Sequence, residues 1–352
     1  MLVHNNVPLQ ALTSFHIAAR AQHLIVLRSL GDLDAARQLP QWGSMPRLIL
    51  GGGSNIVLTG DVKALVLKVE IMGRRRVGET AKHWIVEAGA GEPWHDFVAW
   101  TLDQGWPGLE NLALIPGTVG AAPVQNIGAY GMELQDCFHS LDAVMLDSGQ
   151  RFTLDAAQCA FGYRDSVFKH APAERRDLGL QDAAIITHVR FALPKRWAPV
   201  LGYLDLARKQ QACGVPSPGA RQIFDWVCEI RRAKLPDPAH IGNVGSFFKN
   251  PTVSPEQCAD IIGRDPAVVH YPLPDGRIKL AAGWLIDACG WRGKTMGRAG
   301  VYDKQALVLI NCGRPDGDDG ATGGEVMTLA KAIQTSVYER FGIRLEPEPR
   351  VF

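Results

Sequence analysis

Apolar residues occur along this chain in short runs of strand length, separated by stretches with helical spacing. Residues 47–58, RLILGGGSNIVL, predict a buried strand, a glycine turn and a second short strand. Comparable apolar runs predict further strands at residues 64–69, 84–88, 141–146, 184–191 and 306–311. The chain therefore contains many short strands rather than a few long ones.

Helical spacing predicts helices between and after these strands. In residues 92–104, Pro93 precedes apolar positions at helical intervals, namely Trp94, Phe97, Val98 and Leu102. Similar spacing predicts helices at residues 221–232, 256–262, 281–288 and 325–341, the last one ended by Gly342. Residues 194–220 are rich in proline and glycine and predict a loop around a short helix. The fold class predicted is mixed α+β.

One connection differs from the others in its length. Residues 105–131 show almost no helical periodicity, although they lie between a predicted helix and a predicted strand. Connections of this length inside a compact domain usually carry a function.

Composition narrows the class of protein. The 352 residues predict two or three domains, and 37 basic against 36 acidic residues leave a net charge of +1. This balance argues against a nucleic-acid partner or a polybasic membrane surface.

No apolar run approaches the roughly 20 residues of a membrane span, and no signal peptide is visible. The cysteines lack metal-site spacing, so no metal centre is expected. We expect a cytoplasmic protein.

The glycine clusters do not match the common nucleotide-binding motifs. In GGGSNI, from Gly51, the third glycine of a dinucleotide fingerprint is replaced by Ile56, and no Gly-Lys-Ser or Gly-Lys-Thr occurs. Successive backbone N–H groups can instead form an anion-binding nest, at Gly51, Gly52, Gly53, Ser54 and Asn55. Taken alone, such a triplet more often forms only a turn.

Three glycine-rich segments follow one another in order: LGGGSN at 50–55, EAGAGEPW at 87–94 and IPGTVGAAPVQNIGAYG at 115–131. Small residues allow the backbone to approach a large flat ligand, and amide side chains can bind its edge. The candidate contacts in the third segment are Pro116, Gly117, Gly120, Gln125, Asn126, Gly128 and Tyr130.

These segments resemble the FAD-binding region of the p-cresol methylhydroxylase (PCMH) and vanillyl-alcohol oxidase superfamily. The third is similar to that of the UDP-N-acetylenolpyruvoylglucosamine reductases (MurB), as are GYRDSVFK at 162–169, KLPDPAHIGNVGSFFKNP at 234–251 and LEPEPR at 345–350. With TSFHI at 13–17, the resemblance covers essentially the whole chain.

The resemblance implies a cofactor, a substrate and a domain arrangement. It implies non-covalent FAD, NADPH as reductant, and reduction of UDP-N-acetylglucosamine enolpyruvate to UDP-N-acetylmuramate for peptidoglycan synthesis. The implied fold is PCMH-type, with two α/β FAD-binding subdomains, residues 1–75 and 76–235. A substrate-binding domain follows at 236–336, and residues 337–352 return to the site. A monomer is expected.

The resemblance also implies three catalytic residues, Arg164, Ser246 and Glu348. Hydride transfer to the enolpyruvyl group leaves an enolate, which needs a cation and a hydrogen-bond donor. Arg164 suits the first need, because its planar guanidinium stays charged and engages a carboxylate through two bonds. Ser246 is the implied proton donor. Glu348 would lie beside the enolate, so we expect it to be protonated when substrate is bound.

Four further residues match positions that the family uses for substrate. Tyr203, in PVLGYLDL, matches a tyrosine on a loop that covers the substrate in one subtype, although the local sequence departs from the usual Thr-Tyr-Gly-Asp. Lys234, Asn250 and Gln305 match positions for the diphosphate and uridine.

Single residues would not carry this interpretation. An arginine next to an aspartate, as at Arg164, usually forms an ion pair. A serine after a glycine, as at Ser246, usually belongs to a turn, and a glutamate near the chain end, as at Glu348, is usually solvated. Only their joint occurrence favours catalysis. Two alternatives remain at this point: an oxidase of the same superfamily acting on an alcohol or carbohydrate, and a non-catalytic nucleotide-sugar-binding protein.

Overall fold

A computed structural model describes residues 2–171 and 179–352. The strands in these ranges are β1 His4–Pro8, β2 Arg20–Leu27, β3 Arg47–Leu50, β4 Ile56–Val57, β5 Val62–Val69, β6 Arg74–Glu79, β7 His83–Gly89, β8 Gly128–Ala129, β9 Met132–Glu133, β10 Phe138–Met145, β11 Arg151–Asp155, β12 Ala184–Pro194, β13 Asn243–Ser246, β14 Thr252–Val253, β15 His270–Pro272, β16 Ile278–Leu280, β17 Thr295–Met296, β18 Ala299–Val301, β19 Val308–Asn311 and β20 Arg350–Val351.

The helices are α1 Leu30–Ala36, α2 Pro40–Ser44, α3 Trp94–Asp103, α4 Ala156–Cys159, α5 Leu204–Cys213, α6 Ala220–Lys234, α7 Pro255–Arg264, α8 Ala282–Ala288 and α9 Gly323–Phe341. Capping residues at both ends of helix α9 explain where it begins and ends. Thr322 and Glu325 form a capping box at its start, and Gly342, with φ 70°, ends it in the left-handed region.

The chain divides into two compact units. The first contains Ala21–Gly52 and Lys63–Ala233 together with the N-terminal residues through Val7. The second contains Pro8–Arg20, Gly53–Val62 and Lys234–Phe352. The finer division into subdomains 1–75 and 76–235 stays a prediction.

The first unit is built on two sheets. One has the strand order β1-β2-β5-β3, with β3 and β5 parallel. The other has the order β11-β10-β12-β7-β6 and is antiparallel throughout. Helix α3 packs on the second sheet through Trp94 and Phe97, whose rings lie 5.8 and 5.1 Å from that of Phe191. This places the start of α3, and the glycine-rich turn before it, against a rigid sheet.

Strand β6 lies at the edge of the second sheet, and every residue of it is exposed. Its sequence, RRRVGE, has no apolar alternation, so the hydrophobic pattern gave no signal for it. The strand forms because it pairs with β7, and Arg75 also binds Glu87 at 2.8 Å. Charged side chains on an edge strand disfavour pairing with other chains.

The second unit has a sheet of order β13-β19-β18-β17, a smaller sheet of order β14-β16-β15, and the parallel pair β4–β20. Helix α9 contributes buried residues along its whole length, including Leu329, Ile333 and Val337. The C-terminal residues are therefore part of this unit's framework.

The mixed α+β class predicted from the sequence is confirmed, and the predicted strands and helices all form, with ends shifted by a few residues. The prediction missed several elements of the N-terminal half, notably β2 and α1. Helix α1 has only seven residues, which is too short to show a clear period.

Core packing in the first unit can be tested with one substitution at two sites. Val66 on β5 is fully buried, whereas Val77 on β6 is 41% exposed. Because Val66→Ala leaves a cavity, we expect it to lower the free energy of unfolding by about 2–3 kcal/mol, against less than about 0.5 kcal/mol for Val77→Ala. Guanidinium chloride unfolding measures both, and equal effects would contradict this packing.

Candidate active site

In the first unit, Gly51 and Gly52 of the first glycine-rich segment lie against the third segment, which in turn lies against the second. A Cβ atom on Gly52 would lie 2.7 Å from Gly117 Cα, and one on Gly120 would lie 2.4 Å from Ala90 Cβ. These approaches are too close for any side chain. Glycine is therefore required at Gly52 and Gly120 by backbone packing.

Backbone hydrogen bonds hold the second and third segments together. Val119 N–H donates to Glu92 O and Gly120 N–H to Ala90 O, both at 2.9 Å, and Trp94 N–H donates to Gly117 O at 3.0 Å. The start of α3 is thus joined directly to the 115–131 loop, and the segments form one backbone surface.

This surface has properties that fit a flavin dinucleotide. Thr118 Oγ1 is buried and has no hydrogen-bond partner among the described residues, at 2.8 Å from where a Gly51 Cβ would lie. The Gly52 N–H likewise donates no hydrogen bond within the described ranges. A buried polar group without a partner, beside close-packed glycines and an N–H that makes no bond to the described residues, is expected where a polar ligand binds.

Within the 115–131 loop, Asn126 has a structural role. Its backbone is left-handed, with φ 44°. Its Nδ2 donates to Glu133 Oε2 at 2.9 Å and to Gly162 O at 3.1 Å, and its Oδ1 accepts from Gln135 N–H at 3.0 Å. The side chain therefore holds the loop against its neighbours. Gln125 ends a short 3-10 turn just before it, and Pro116 is exposed at the start of the loop.

Arg164 lies in the turn between Gly162 and Asp165 and contacts this loop. Its Nη2 donates to Gly128 O at 2.9 Å, and its guanidinium carbon lies 5.3 Å from the centre of the Tyr163 ring. Its backbone has φ 56°, which is strained for a residue with a side chain. Local strain that the surrounding structure imposes is often found at functional sites.

Tyr130 and Tyr203 meet edge to face, with ring centres 5.1 Å apart. Tyr203, at the start of α5, is 43% exposed, while burial raises the pKa of Tyr130 to about 12. Tyr130 therefore remains a neutral phenol near neutral pH.

In the second unit, Ser246 and Glu348 are brought close together. Ser246 ends β13, and the Glu348 N–H donates to the carbonyl of the next residue, Phe247, at 2.8 Å. Phe248 and Pro347 form an adjacent bridge. Two residues 102 positions apart in the sequence thus lie on neighbouring backbone segments. Arg164 belongs to the other unit.

The end of the GGGSN segment also belongs to the second unit. Gly53 has φ 60°, and a Cβ on it would lie 2.3 Å from Leu12 O. Asn55 O accepts from Arg350 N–H at 3.0 Å, and Asn55 Nδ2 donates to Glu348 O at 3.4 Å. Asn55, and Ser54 before it, therefore lie beside the segment that carries Glu348.

Two of the residues predicted to bind substrate lie at the start of α8. Asn250 Oδ1 accepts from Ala282 N–H at 2.9 Å, and a Cβ on Gly283 would lie 2.9 Å from Gln305 Oε1. Lys234 is exposed at the end of α6.

His95, which the sequence marks only as an isolated core or surface histidine, makes a contact that the sequence did not predict. His95 Nδ1 accepts from Leu114 N–H at 3.1 Å, and the ring stacks on Phe224 at 5.2 Å. Burial lowers the pKa of His95, which favours the neutral ring that this bond needs. No motif marks this contact, because it links α3 to a loop 19 residues away.

Lys68 was also missed. The sequence predicts only that Lys68 lies on a strand, yet its Nζ donates to Gly51 O at 2.5 Å. The one sequence signal is a lysine near the end of an otherwise apolar strand.

Comparison with known proteins relates this arrangement to characterised families. A family model described as an FAD binding domain matches residues 21–155, and one described as the C-terminal domain of UDP-N-acetylenolpyruvoylglucosamine reductase matches residues 237–352. The combination defines a flavin-dependent reductase.

Full-length relatives make the assignment specific. The chain is 54% identical to the UDP-N-acetylenolpyruvoylglucosamine reductase of Azoarcus sp. (strain BH72), covering 99% of this chain and 97% of the relative. It is 55% identical to that of Burkholderia vietnamiensis, covering 97% and 95%. The chain belongs to the UDP-N-acetylenolpyruvoylglucosamine reductase family.

A solved structure supports the same fold. The reductase of Thermus caldophilus matches over 100% of this chain and 99% of its own, with a TM-score of 0.66 and 23% identity. The predicted resemblance and fold are thus confirmed. Separately, no helix within the described residues has the length and apolar character needed to cross a membrane.

The contact between Gly52 and Gly117 can be tested by adding one methyl group. Gly52→Ala should weaken FAD binding by about tenfold or more, because the backbone of the 115–131 loop must move away. Gly43→Ala is the matched control, since a Cβ there has no atom within 4 Å. Titration of the apoprotein with FAD measures both, and wild-type affinity in Gly52→Ala would contradict the role of this contact.

Proposed function

We propose that this protein reduces UDP-N-acetylglucosamine enolpyruvate to UDP-N-acetylmuramate, with FAD as cofactor and NADPH as reductant, in peptidoglycan precursor synthesis. The observation that carries the proposal is identity above 50% over almost the whole chain to curated reductases of this name. The substrate is a small UDP-sugar. We place the reaction in the cytoplasm and expect the protein to act as a monomer.

The chemistry divides between the bound cofactor and the chain. When bound, FAD would supply hydride chemistry, with NADPH as the source and the enolpyruvyl methylene carbon as the acceptor. Its adenine dinucleotide would be held by the glycine-rich surface of Gly51, Gly52, Gly117 and Gly120, where Thr118 Oγ1 is an unsatisfied polar group. Gly53, Ser54, Asn55, Pro116, Gln125, Asn126, Gly128 and Tyr130 complete the proposed set, Asn126 through its backbone.

Arg164 would hold the substrate carboxylate. Its guanidinium is already oriented by Gly128 O at 2.9 Å, so little side-chain freedom is lost on binding. The negative charge that develops on the carboxylate as the enolate forms is stabilised by this fixed cation.

Ser246 would then deliver a proton to the carbon that bore the enolate charge. A serine hydroxyl is a weak acid, so the oxygen left behind must itself be stabilised or reprotonated. The link from Glu348 N–H to Phe247 O, at 2.8 Å, keeps Glu348 beside the serine segment, which supports a joint role.

Tyr203, Lys234, Asn250 and Gln305 would bind the nucleotide sugar. Tyr203 is 43% exposed and can move over a ligand, and Lys234 is exposed and carries a charge suited to a diphosphate. Asn250 and Gln305 lie together at α8, where their amides suit a uracil edge.

The function can be tested from the visible spectrum of the purified protein under anaerobic conditions. One equivalent of NADPH should bleach the flavin band, and the enolpyruvyl substrate should then restore it without oxygen. Recovery with oxygen alone would instead support an oxidase, and failure to bind FAD at all would leave a nucleotide-sugar-binding protein.

The protonation of Glu348 gives a second test. If the residue acts as a neutral donor, Glu348→Gln keeps a donor and should retain much more activity than Glu348→Ala. Single-turnover oxidation of the reduced enzyme by the enolpyruvyl substrate measures this step. Glu346→Gln is the control, because that side chain is 69% exposed and pairs with Lys249. Equal and complete loss in both Glu348 variants would contradict the neutral-donor role.

A further inference from the structure

Lys68 is a charged residue that lies among buried residues near the end of a central strand. It lies on β5, between β2 and β3, with Leu67 before it and Val69 after it both buried. In the parallel register of β3 and β5 it stands opposite Leu50, the residue that precedes the glycine triplet. From there its Nζ reaches Gly51 O at 2.5 Å.

The placement of Lys68 is unfavourable for folding alone. Within the described ranges it forms no ion pair, and the neighbouring Glu70 is bound to Arg28 at 3.3 Å. Burial lowers the pKa of Lys68, because the charged form is poorly solvated. An apolar side chain would avoid this loss of solvation, so the bond from Lys68 Nζ to Gly51 O indicates a role other than core stability.

The bond that Lys68 makes determines how the Gly51–Gly52 peptide is oriented. In a trans peptide the carbonyl and the following N–H point in opposite directions. Holding Gly51 O on the Lys68 side therefore directs Gly52 N–H away from the strand. That N–H donates no hydrogen bond within the described part of the chain, and Thr118 Oγ1, also without a partner there, lies against Gly51.

We propose that Lys68 is a positioning residue for the FAD diphosphate: it anchors the Gly51 carbonyl so that Gly52 N–H is presented to a phosphate oxygen. The inference rests on the proposed function, because it requires that this chain binds FAD. Lys68 acts through the glycine backbone rather than by touching the cofactor.

The test compares FAD binding in Lys68→Met, Lys68→Arg and the wild-type chain, by titrating the apoprotein and following flavin fluorescence. Lys68→Met should raise the FAD dissociation constant about tenfold or more, since the Gly51–Gly52 peptide is no longer held. Lys68→Arg keeps a charged donor and should recover most of that affinity. Lys63→Met is the control, because Lys63 lies on the same strand with an exposed side chain.

Two readouts separate positioning from structural damage. The thermal midpoint of the Lys68→Met apoprotein should equal or exceed that of the wild type, since a poorly solvated charge has been removed. At limiting FAD the activity of Lys68→Met should fall below that of the wild type, and added FAD should restore most of it. Wild-type FAD affinity in Lys68→Met overturns the inference, as does a raised KM for either nucleotide with FAD affinity intact.

If Lys68→Met yields no folded protein, Lys68→Arg and Lys68→Gln decide the question. Lys68→Arg should then bind FAD more tightly than the uncharged, shorter Lys68→Gln, and equal affinities overturn the inference. Failure of the wild-type chain to bind FAD would instead overturn the proposed function, so the two failures are distinguishable.

Discussion

The close approach of backbone to backbone among the glycine-rich segments is the constraint on which the site in the first unit depends. Gly52 lies against Gly117, and Gly120 against Ala90, at distances that exclude a side chain. The hydrogen bonds from Val119 and Gly120 keep the segments in this arrangement. A surface made of backbone exposes N–H groups at fixed spacing, which suits a large anionic cofactor. Arg164 and Tyr130 then extend the same surface with charged and aromatic groups.

Much of the fold could be predicted from the sequence, because most of its strands and helices have a buried face. Strands such as β5 and β12 and helices such as α6 and α9 bury one face or both, so their apolar pattern follows their geometry. Strand β6 could not be predicted, because it owes its conformation to pairing with β7 and not to burial. Its arginines mark an exposed edge, which looks like a loop in a single sequence.

Site residues that lie in long sequence motifs could be predicted. Residues whose role depends on a contact with a distant part of the chain could not. Resemblance singled out Ser246 and Glu348, and the fold does bring their segments together. It also singled out Asn126, whose side-chain amide forms hydrogen bonds with Glu133, Gly162 and Gln135. Lys68 and His95 carry no motif, since their importance lies in single bonds to distant backbone atoms. Such bonds are properties of the folded chain.

The pairing of β20 with β4 has a consequence for synthesis of the protein in the cell. Arg350 N–H binds Asn55 O at 3.0 Å and Phe352 N–H binds Val57 O at 2.9 Å, so contacts of the second unit join residues almost 300 positions apart. The ribosome must therefore have translated residues 350–352 before this unit can close, while the sequence of the first unit has emerged earlier. Contacts of such high sequence separation form slowly. During that interval residues 53–62 lack their strand partners, and unpaired strand edges of this kind are prone to aggregation.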